Sequence, residues 1–115
     1  MSSAALTMSG PQESGTWSVV AVQGEVDLST APQFREGLGK AIEHGMRSLA
    51  VDLREVTFMD SMGLGVLVGA RRHVMESGGR FAVICGEGPC QRVIEISGLS
   101  DLLGVVKDDA SLPSD

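Results

Sequence analysis

The sequence predicts an α/β fold, with one domain built on a mixed, mostly parallel sheet that has an N-terminal hairpin and about three main helices. Short runs rich in Val, Leu, Ile and Ala, typical of buried strands, alternate along the chain with segments whose apolar residues recur at helical spacing. Strands separated by helices pair in parallel through right-handed crossovers. The length of 115 residues suits one hydrophobic core, and no segment has the length of an interdomain linker.

The N-terminal part of the chain predicts a hairpin. Residues 4–8 suit a short edge strand, and the turn-rich sequence SGPQESG at residues 9–15 is expected to form the hairpin loop. Residues 17–23 are nearly continuous in apolar side chains, which suits a central strand covered on at least one face. Gly24 is expected to end this strand.

A first helix is expected over residues 31–44, where apolar residues recur on one face. Thr30 followed by Gln33 fits a capping box, in which the two side chains satisfy backbone N–H groups at the helix start. Gly45 suits the left-handed residue that follows many helices.

The second half of the chain repeats the alternation of strands and helices. Its predicted elements are a strand at 49–53, a helix at 66–77, a strand at 80–85, a helix at 90–97, a bend or helical turn at 101–104 and a strand at 105–107. The whole chain, 1–115, is expected to be one domain with its core at about 17–107. Residues 1–3 and 108–115 are expected to be flexible.

The charge of the chain excludes some classes of partner. The net charge is -6 and the isoelectric point about 4.8, so neither nucleic acid nor an anionic membrane is expected to bind it. Residues 1–15 lack the basic and apolar parts of a signal peptide, and the longest uncharged apolar stretch, 62–70, is too short to span a bilayer. We therefore expect a cytoplasmic protein, either a monomer or a weak homodimer.

The cysteines predict neither a metal site nor a cofactor. Cys85 and Cys90 form a C-x4-C pair without further ligands nearby, which is a poor arrangement for zinc. One thiol on a strand and one in the following loop or helix is the simpler interpretation.

The stretch VTFMDSMGLG at residues 56–65 is the most informative part of the sequence. It joins a predicted strand to a predicted helix, which is where α/β folds place functional residues. Ser61 is expected to cap this helix or to be one of its first residues. A phosphate on Ser61 would then face free backbone N–H groups and the positive end of the helix dipole.

Glycines in this second helix carry a cost. Gly63, Gly65 and Gly69 would each destabilise a helix interior by about 0.5–1 kcal/mol relative to Ala. Close packing of the helix on the sheet would explain them, and so would a flat surface that another protein's backbone approaches. Met62, Val66 and Gly69 cannot all face the sheet together with the other apolar residues, so we expect an exposed apolar patch beside Ser61.

These residues resemble a known family. Residues 51–53 and 56–65 are similar to the signature of STAS domains, in particular of bacterial anti-sigma factor antagonists, and GEVDL at residues 24–28 resembles the family's second motif. The resemblance covers about residues 17–107 and implies a STAS-type fold. It implies that the unphosphorylated protein binds an anti-sigma factor, which is also a serine kinase of the histidine-kinase-like ATPase type, and so releases the sigma factor.

The resemblance also implies how the binding is switched. The kinase phosphorylates the serine that matches Ser61, the complex breaks, and a PPM-type serine phosphatase restores the active form. Asp27 matches a family acid near that serine, whereas Met62 stands where many members have a second Ser or Thr. The residues expected to form the environment of the phosphorylation site and the partner-binding surface are Glu25, Asp27, Asp60, Met62, Gly63 and Gly65.

Three alternatives remain at this point. A hydrolase nucleophile at Ser61 is disfavoured because Met59 replaces the first Gly of the Gly-x-Ser-x-Gly elbow, so we expect no enzyme. A two-component receiver domain would use acids such as Glu25 and Asp27, an Asp on a middle strand such as Asp52, and a lysine such as Lys107. A STAS scaffold or ligand-binding module of a stress-signalling assembly would keep the fold and change the role.

Overall fold

The computed structural model describes residues 6–45 and 47–114. The strands are β1 (Leu6–Ser14), β2 (Trp17–Val26), β3 (Ser48–Met59), β4 (Arg80–Ile84) and β5 (Val105–Val106). The helices are α1 (Ala31–Glu43), α2 (Ser61–Glu76), α3 (Pro89–Ile96) and α4 (Ser100–Leu103), and a short 3-10 helix follows at Asp109–Ser111. The strands form one sheet in the order β1-β2-β3-β4-β5, antiparallel between β1 and β2 and parallel elsewhere. The predicted α/β class with its N-terminal hairpin is confirmed.

The four helices cover one face of the sheet. Alternate strand residues such as Val22, Val51 and Val83 are buried there with Phe34 of α1 and Leu67 of α2 in one large apolar cluster. Strands next to a helical layer bury every second side chain, which explains the many apolar residues of β2, β3 and β4. The core therefore lies between the sheet and the helices.

The opposite face of the sheet carries a smaller apolar cluster. Trp17 and Ile84 are buried there, and Leu112 of the C-terminal segment packs against them. The indole N–H of Trp17 donates to the Pro113 carbonyl at 2.7 Å, and the Arg80 guanidinium lies 4.4 Å from the centre of the indole ring. Residues 108–114, which were expected to be flexible, thus include a 3-10 helix and contact the sheet. Residues 1–3, also expected to be flexible, lie outside the described part of the chain.

The predicted hairpin loop at 9–15 is wrong, because β1 continues through it to Ser14. A β-bulge between Ser9 and Gln12 takes up Gly10, whose φ is +104°, and pairing with β2 resumes at Gln12. A bulge inserts residues into a strand without ending it, so turn-forming residues here mark an irregular strand. The tight turn lies instead between Ser14 and Trp17.

Two strands are longer than their sequences predict. Gly24, expected to end β2, lies inside it with a φ of +109°, and the strand runs on to Val26. β3 runs to Met59 rather than to Leu53, because it stays paired with β2 across two irregularities in register. These irregularities break the alternation of buried and exposed residues that would have revealed the longer strands.

The remaining boundaries differ less. α2 begins at Ser61, five residues before the predicted helix at 66–77. The predicted elements at 80–85, 90–97 and 105–107 are each found within one residue at either end, and the bend expected at 101–104 is the short helix α4. No helix in residues 6–45 and 47–114 combines the length and apolar character that crossing a membrane requires.

Candidate functional site

Ser61 is the first residue of α2, and its side chain is exposed. Asp60 alone separates it from β3, and the Asp60 N–H donates to the Val26 carbonyl at 3.3 Å. This bond continues the pairing of β2 and β3 up to the start of the helix. Ser61 therefore sits at a fixed point on the carboxyl edge of a parallel sheet, a common place for functional residues.

Asp60 caps α2. Its backbone is extended and its carboxylate accepts the Met62 N–H at 2.9 Å, while its carbonyl accepts the Gly63 N–H at 3.1 Å. The expectation of free N–H groups facing a phosphate on Ser61 is therefore wrong for Met62 and Gly63. Aspartate is among the strongest N-cap residues, and it takes the donor that a phosphate would use.

Acidic residues converge on this edge from two strands. Val26 of β2 pairs with Met59 of β3. Asp27 and Asp60 are the next residues after this pair, so they leave the sheet side by side. Adjacent strands lie about 4.8 Å apart. Glu25, one residue before Val26, pairs with Phe58. Ser61 thus begins its helix beside two aspartates, with a glutamate farther back along β2.

Glu25 and Asp27 flank a fully buried residue, Val26, which faces the helical layer. Because side chains alternate along a strand, Glu25 lies on the side of the sheet away from the helices, whereas Asp27 follows the end of β2 and belongs to the turn into α1.

Asp27 also has a structural role in the turn that leads into α1. Its carboxylate accepts the Ser29 hydroxyl at 2.7 Å, the Ser29 N–H at 2.9 Å and the Thr30 N–H at 3.2 Å. These bonds, led by that of the Ser29 hydroxyl, lower the pKa of Asp27, so the carboxylate is anionic at neutral pH. Asp27 therefore shapes the turn into α1 while it adds a negative charge to the Ser61 edge.

The predicted capping box of α1 is wrong. The Thr30 hydroxyl donates to the Glu25 carbonyl at 2.8 Å and accepts the Asp27 N–H at 3.0 Å, so it faces the preceding turn and makes no capping bond to its helix. The Gln33 amide donates to the Leu6 carbonyl at 3.1 Å. The same residue types thus serve to hold the β2–α1 connection instead.

The glycines of α2 divide into two kinds. Gly63 is buried, and a Cβ placed on it would lie 2.8 Å from Val26 Cγ1 and 2.9 Å from Met59 Cγ. Close packing on the sheet therefore explains Gly63. A Cβ on Gly65 or Gly69 would have no described atom within 4 Å, so close packing does not explain these two.

Exposed apolar side chains occur close to the acidic edge. Leu28, next to Asp27, is 71% exposed, Phe58, next but one to Asp60, is 46% exposed, and Met62 is 38% exposed. The apolar patch expected beside Ser61 therefore contains Met62, whereas Val66 is buried. Sequence reasoning missed Leu28 and Phe58, because single apolar residues in a polar segment give no periodic signal.

The alternative sites are not assembled in the described residues. His73 lies near the C-terminal end of α2, and the His44 ring is 2.7 Å from the Lys40 carbonyl, so neither histidine stands beside Ser61 as a base. Asp52, the candidate acid of a receiver domain, forms an ion pair with Arg54 at 2.9 Å. No cluster of metal-ligating side chains occurs in this part of the chain.

The cysteines are buried thiols without a disulfide. Cys85 and Cys90 both border a small cavity beside the β4–α3 loop. Burial raises the pKa of Cys85 and raises that of Cys90 to about 12, so both are protonated at neutral pH. The two thiols therefore behave as small apolar core residues.

Comparison with known proteins identifies the family. The sequence profile of the STAS domain matches residues 10–111. The anti-sigma-B factor antagonist of Staphylococcus aureus is 35% identical over 86 residues, which cover 75% of this chain and 80% of that protein.

Solved structures agree with this relationship. An anti-sigma factor antagonist from Mycobacterium paratuberculosis superposes with a TM-score of 0.81 at 26% identity, covering 90% of this chain and 86% of that one. Unphosphorylated SpoIIAA, at 20% identity, shares the fold with a TM-score of 0.74 over 92% of this chain and 93% of its own. The phosphorylated form of the Bacillus protein SpoIIAA gives 0.65 at 24% identity, over 92% and 96%. The chain therefore belongs to the STAS-domain family of anti-sigma factor antagonists.

Proposed function

We propose that this chain is a partner-switching antagonist, whose unphosphorylated form binds an anti-sigma factor and thereby releases the sigma factor. Phosphorylation of Ser61 ends the binding. One observation supports this above the others: Ser61 is an exposed hydroxyl held at the edge of the sheet beside two acidic residues, Asp27 and Asp60. Exposed Leu28, Phe58 and Met62 give a partner apolar area to bury close to the same edge.

The acidic surroundings give phosphorylation its effect. A phosphate adds about -1.5 to -2 charges. At about 5 Å and an effective dielectric constant between about 80 and 20, its repulsion by one carboxylate is roughly 1 to 6 kcal/mol. The helix dipole returns only about 0.3 to 1 kcal/mol. Repulsion by Asp27 and Asp60 therefore outweighs the attraction of the α2 N-terminus.

Binding turns this repulsion into a loss of affinity. In the free protein, water and ions around the exposed edge screen the phosphate. A partner that covers the edge removes the screening and leaves the phosphate facing carboxylates and apolar side chains. A penalty of a few kcal/mol corresponds to a loss of about 10- to 1000-fold in affinity. The free chain thus tolerates phosphoserine at position 61, and the complex does not.

The proposal extends to the partners, and membership of the family supports this extension. The anti-sigma factor is the serine kinase that modifies Ser61, and a PPM-type phosphatase reverses the modification. The chain itself acts by binding rather than by catalysis, in the cytoplasm, where sigma factors and RNA polymerase operate. The net charge of -6 is consistent with a protein partner rather than nucleic acid.

Intact-mass measurement of the protein purified from its own cells, with site mapping and a Ser61→Ala control, tests the proposal. An adduct of about 80 Da on Ser61 that is lost on phosphatase treatment is expected. The Ser61→Ala form should retain the anti-sigma factor on an affinity column when ATP is present, and Ser61→Asp should not. Equal retention by Ser61→Ala and Ser61→Asp would refute the switch.

A further inference from the structure

A groove runs between α1 and α2 on the outer surface of the helical layer. Its volume is about 300 Å³, and its floor is formed by Leu38, Val66 and Ala70, which are buried in the core. Gly65 and Gly69 form the α2 side of this groove, and Gly39 belongs to its α1 side. The groove is therefore apolar at its base and bordered by backbone where side chains would otherwise stand.

The fold does not require these glycines. Gly39, Gly65 and Gly69 all lie inside helices, none has a positive φ, and a Cβ on any of them would have no described atom within 4 Å. Each costs about 0.5–1 kcal/mol relative to Ala. Their common property is that they keep the groove open to another molecule, so a binding role accounts for them where packing does not.

The charge of the groove differs from that of the rest of the protein. The chain carries a net charge of -6, yet no acidic side chain is among the described residues that line this groove. The charged and polar side chains at its border are Arg35 of α1 and His73 of α2, and neither forms an ion pair within the described part of the chain. The groove therefore suits an apolar segment that carries acidic residues.

The groove leads to the phosphorylation site. Ser61, Gly65, Gly69 and His73 follow one another at intervals of four residues, so they lie along one face of α2. The distance from Ser61 to Gly69 along the helix is about 12 Å, or roughly two turns. Ser61 lies one turn beyond Gly65, the lining residue nearest to the start of α2, so a segment that extends past this end of the groove approaches Ser61.

We propose that the α1–α2 groove receives an amphipathic helix of the anti-sigma factor, with small apolar side chains against Gly65 and Gly69 and an Asp or Glu toward Arg35. This inference rests on the proposed function and adds where the partner binds and by which kind of segment. Glycines allow the backbones of two helices to approach closely, and helices recognised in grooves present apolar residues at four-residue intervals. An acidic helix beside Ser61 adds its own repulsion to that of Asp27 and Asp60 after phosphorylation.

The test is calorimetric titration with the purified anti-sigma factor that Ser61→Ala retains. Gly65→Leu and Gly69→Leu place a side chain into the groove and should each weaken binding at least tenfold. Glu36→Leu adds the same side chain at an exposed position of α1 outside the groove and should stay within twofold of wild type. Circular dichroism confirms that each variant is folded before titration.

Charge variants test the acidic character of the helix. Arg35→Glu should weaken binding at least tenfold, and Arg35→Lys should restore most of the affinity. Gly65→Ala should raise the melting temperature yet weaken binding, which distinguishes a binding role from a structural one. Affinities of Arg35→Glu and Gly65→Ala equal to wild type would contradict the proposed helix.

The outcomes separate this inference from the switch. If Gly65→Leu and Gly69→Leu bind as wild type while Ser61→Asp does not bind, the switch stands and the groove assignment is overturned. If Ser61→Asp binds as tightly as wild type, the proposed function itself fails. Saturable binding of dodecanoate that Gly65→Leu abolishes, with unchanged affinity for the anti-sigma factor, would assign the groove to a small anionic amphiphile and overturn the helix.

Discussion

Alanine substitution should affect stability in opposite directions at two glycines that lie only two residues apart in α2. A methyl group on Gly63 would lie 2.8 Å from Val26 Cγ1 and 2.9 Å from Met59 Cγ, which is too close for carbon atoms, so the helix or these side chains must shift. A methyl group on Gly65 would have no described atom within 4 Å. The two substitutions are chemically identical and differ only in what surrounds the added atom.

The magnitudes follow from two opposing terms. Replacing Gly by Ala inside a helix stabilises by about 0.5–1 kcal/mol. Overpacking a well-filled core costs about 1–3 kcal/mol. Gly65→Ala should therefore raise the free energy of unfolding by about 0.5–1 kcal/mol, and Gly63→Ala should lower it by roughly 0–2.5 kcal/mol.

Urea unfolding followed by circular dichroism measures both changes, and thermal unfolding checks them. For a domain of this size a difference of 1 kcal/mol shifts the melting temperature by about 3–6 °C. Val26→Ala provides a further control, since it removes the atom nearest to the added methyl. Val26→Ala should destabilise the Gly63→Ala variant less than it destabilises the wild type, because the added methyl group partly fills the cavity that Val26→Ala leaves. Equal stabilities of Gly63→Ala and Gly65→Ala would refute the packing of α2 described above.

Three further changes test other parts of the structure. The pKa of Asp27 is lowered in the folded state, so the stability that its carboxylate contributes is present above about pH 4 and is lost as the pH falls through the folded pKa. The free energy of unfolding of Asp27→Asn should therefore depend less on pH than that of the wild type. Urea titrations between about pH 5 and 2 measure this difference. Trp17→Phe removes the 2.7 Å bond to the Pro113 carbonyl and should cost about 0.5–1.5 kcal/mol, with faster amide exchange in residues 109–114. Cys90, with a pKa of about 12, should react with a disulfide reagent at pH 8 only as fast as the protein opens, and denaturant should accelerate the reaction; rapid labelling of the native protein would contradict its burial.

Much of the fold is predictable because it depends on hydrophobic periodicity. The apolar runs of β2, β3 and β4 and the one-sided helix α1 identify an α/β domain. The errors concern places where a local signal had more than one structural solution. Gly10 and Gly24 each suggest the end of a strand in the sequence. In the structure each lies at a shift in the pairing register, and the strand continues beyond it. Pairing between strands decided these cases, and no single segment contains that information.

The site was predictable in position and less so in its bonding. The order of strand, Asp60, Ser61 and helix places the serine at a helix start on the sheet edge, as the structure shows. The sequence does not determine which of several polar side chains accepts the hydrogen bond of each backbone N–H group. Asp60 accepts the Met62 N–H, and the Thr30 hydroxyl, expected to cap α1, bonds the Glu25 carbonyl and the Asp27 N–H instead. Gly63 and Gly65 are alike in sequence, and only the distance to β2 and β3 separates their roles.

The central claim is that a phosphate on Ser61 breaks the complex with the anti-sigma factor. The most direct measurement is the dissociation constant of that complex with unphosphorylated chain and with chain carrying genetically encoded phosphoserine at position 61, which requires no kinase. The expected result is tight binding of the unphosphorylated chain and an affinity lower by about 10- to 1000-fold for the phosphorylated one. Equal affinities of the two forms, both folded, would contradict the account.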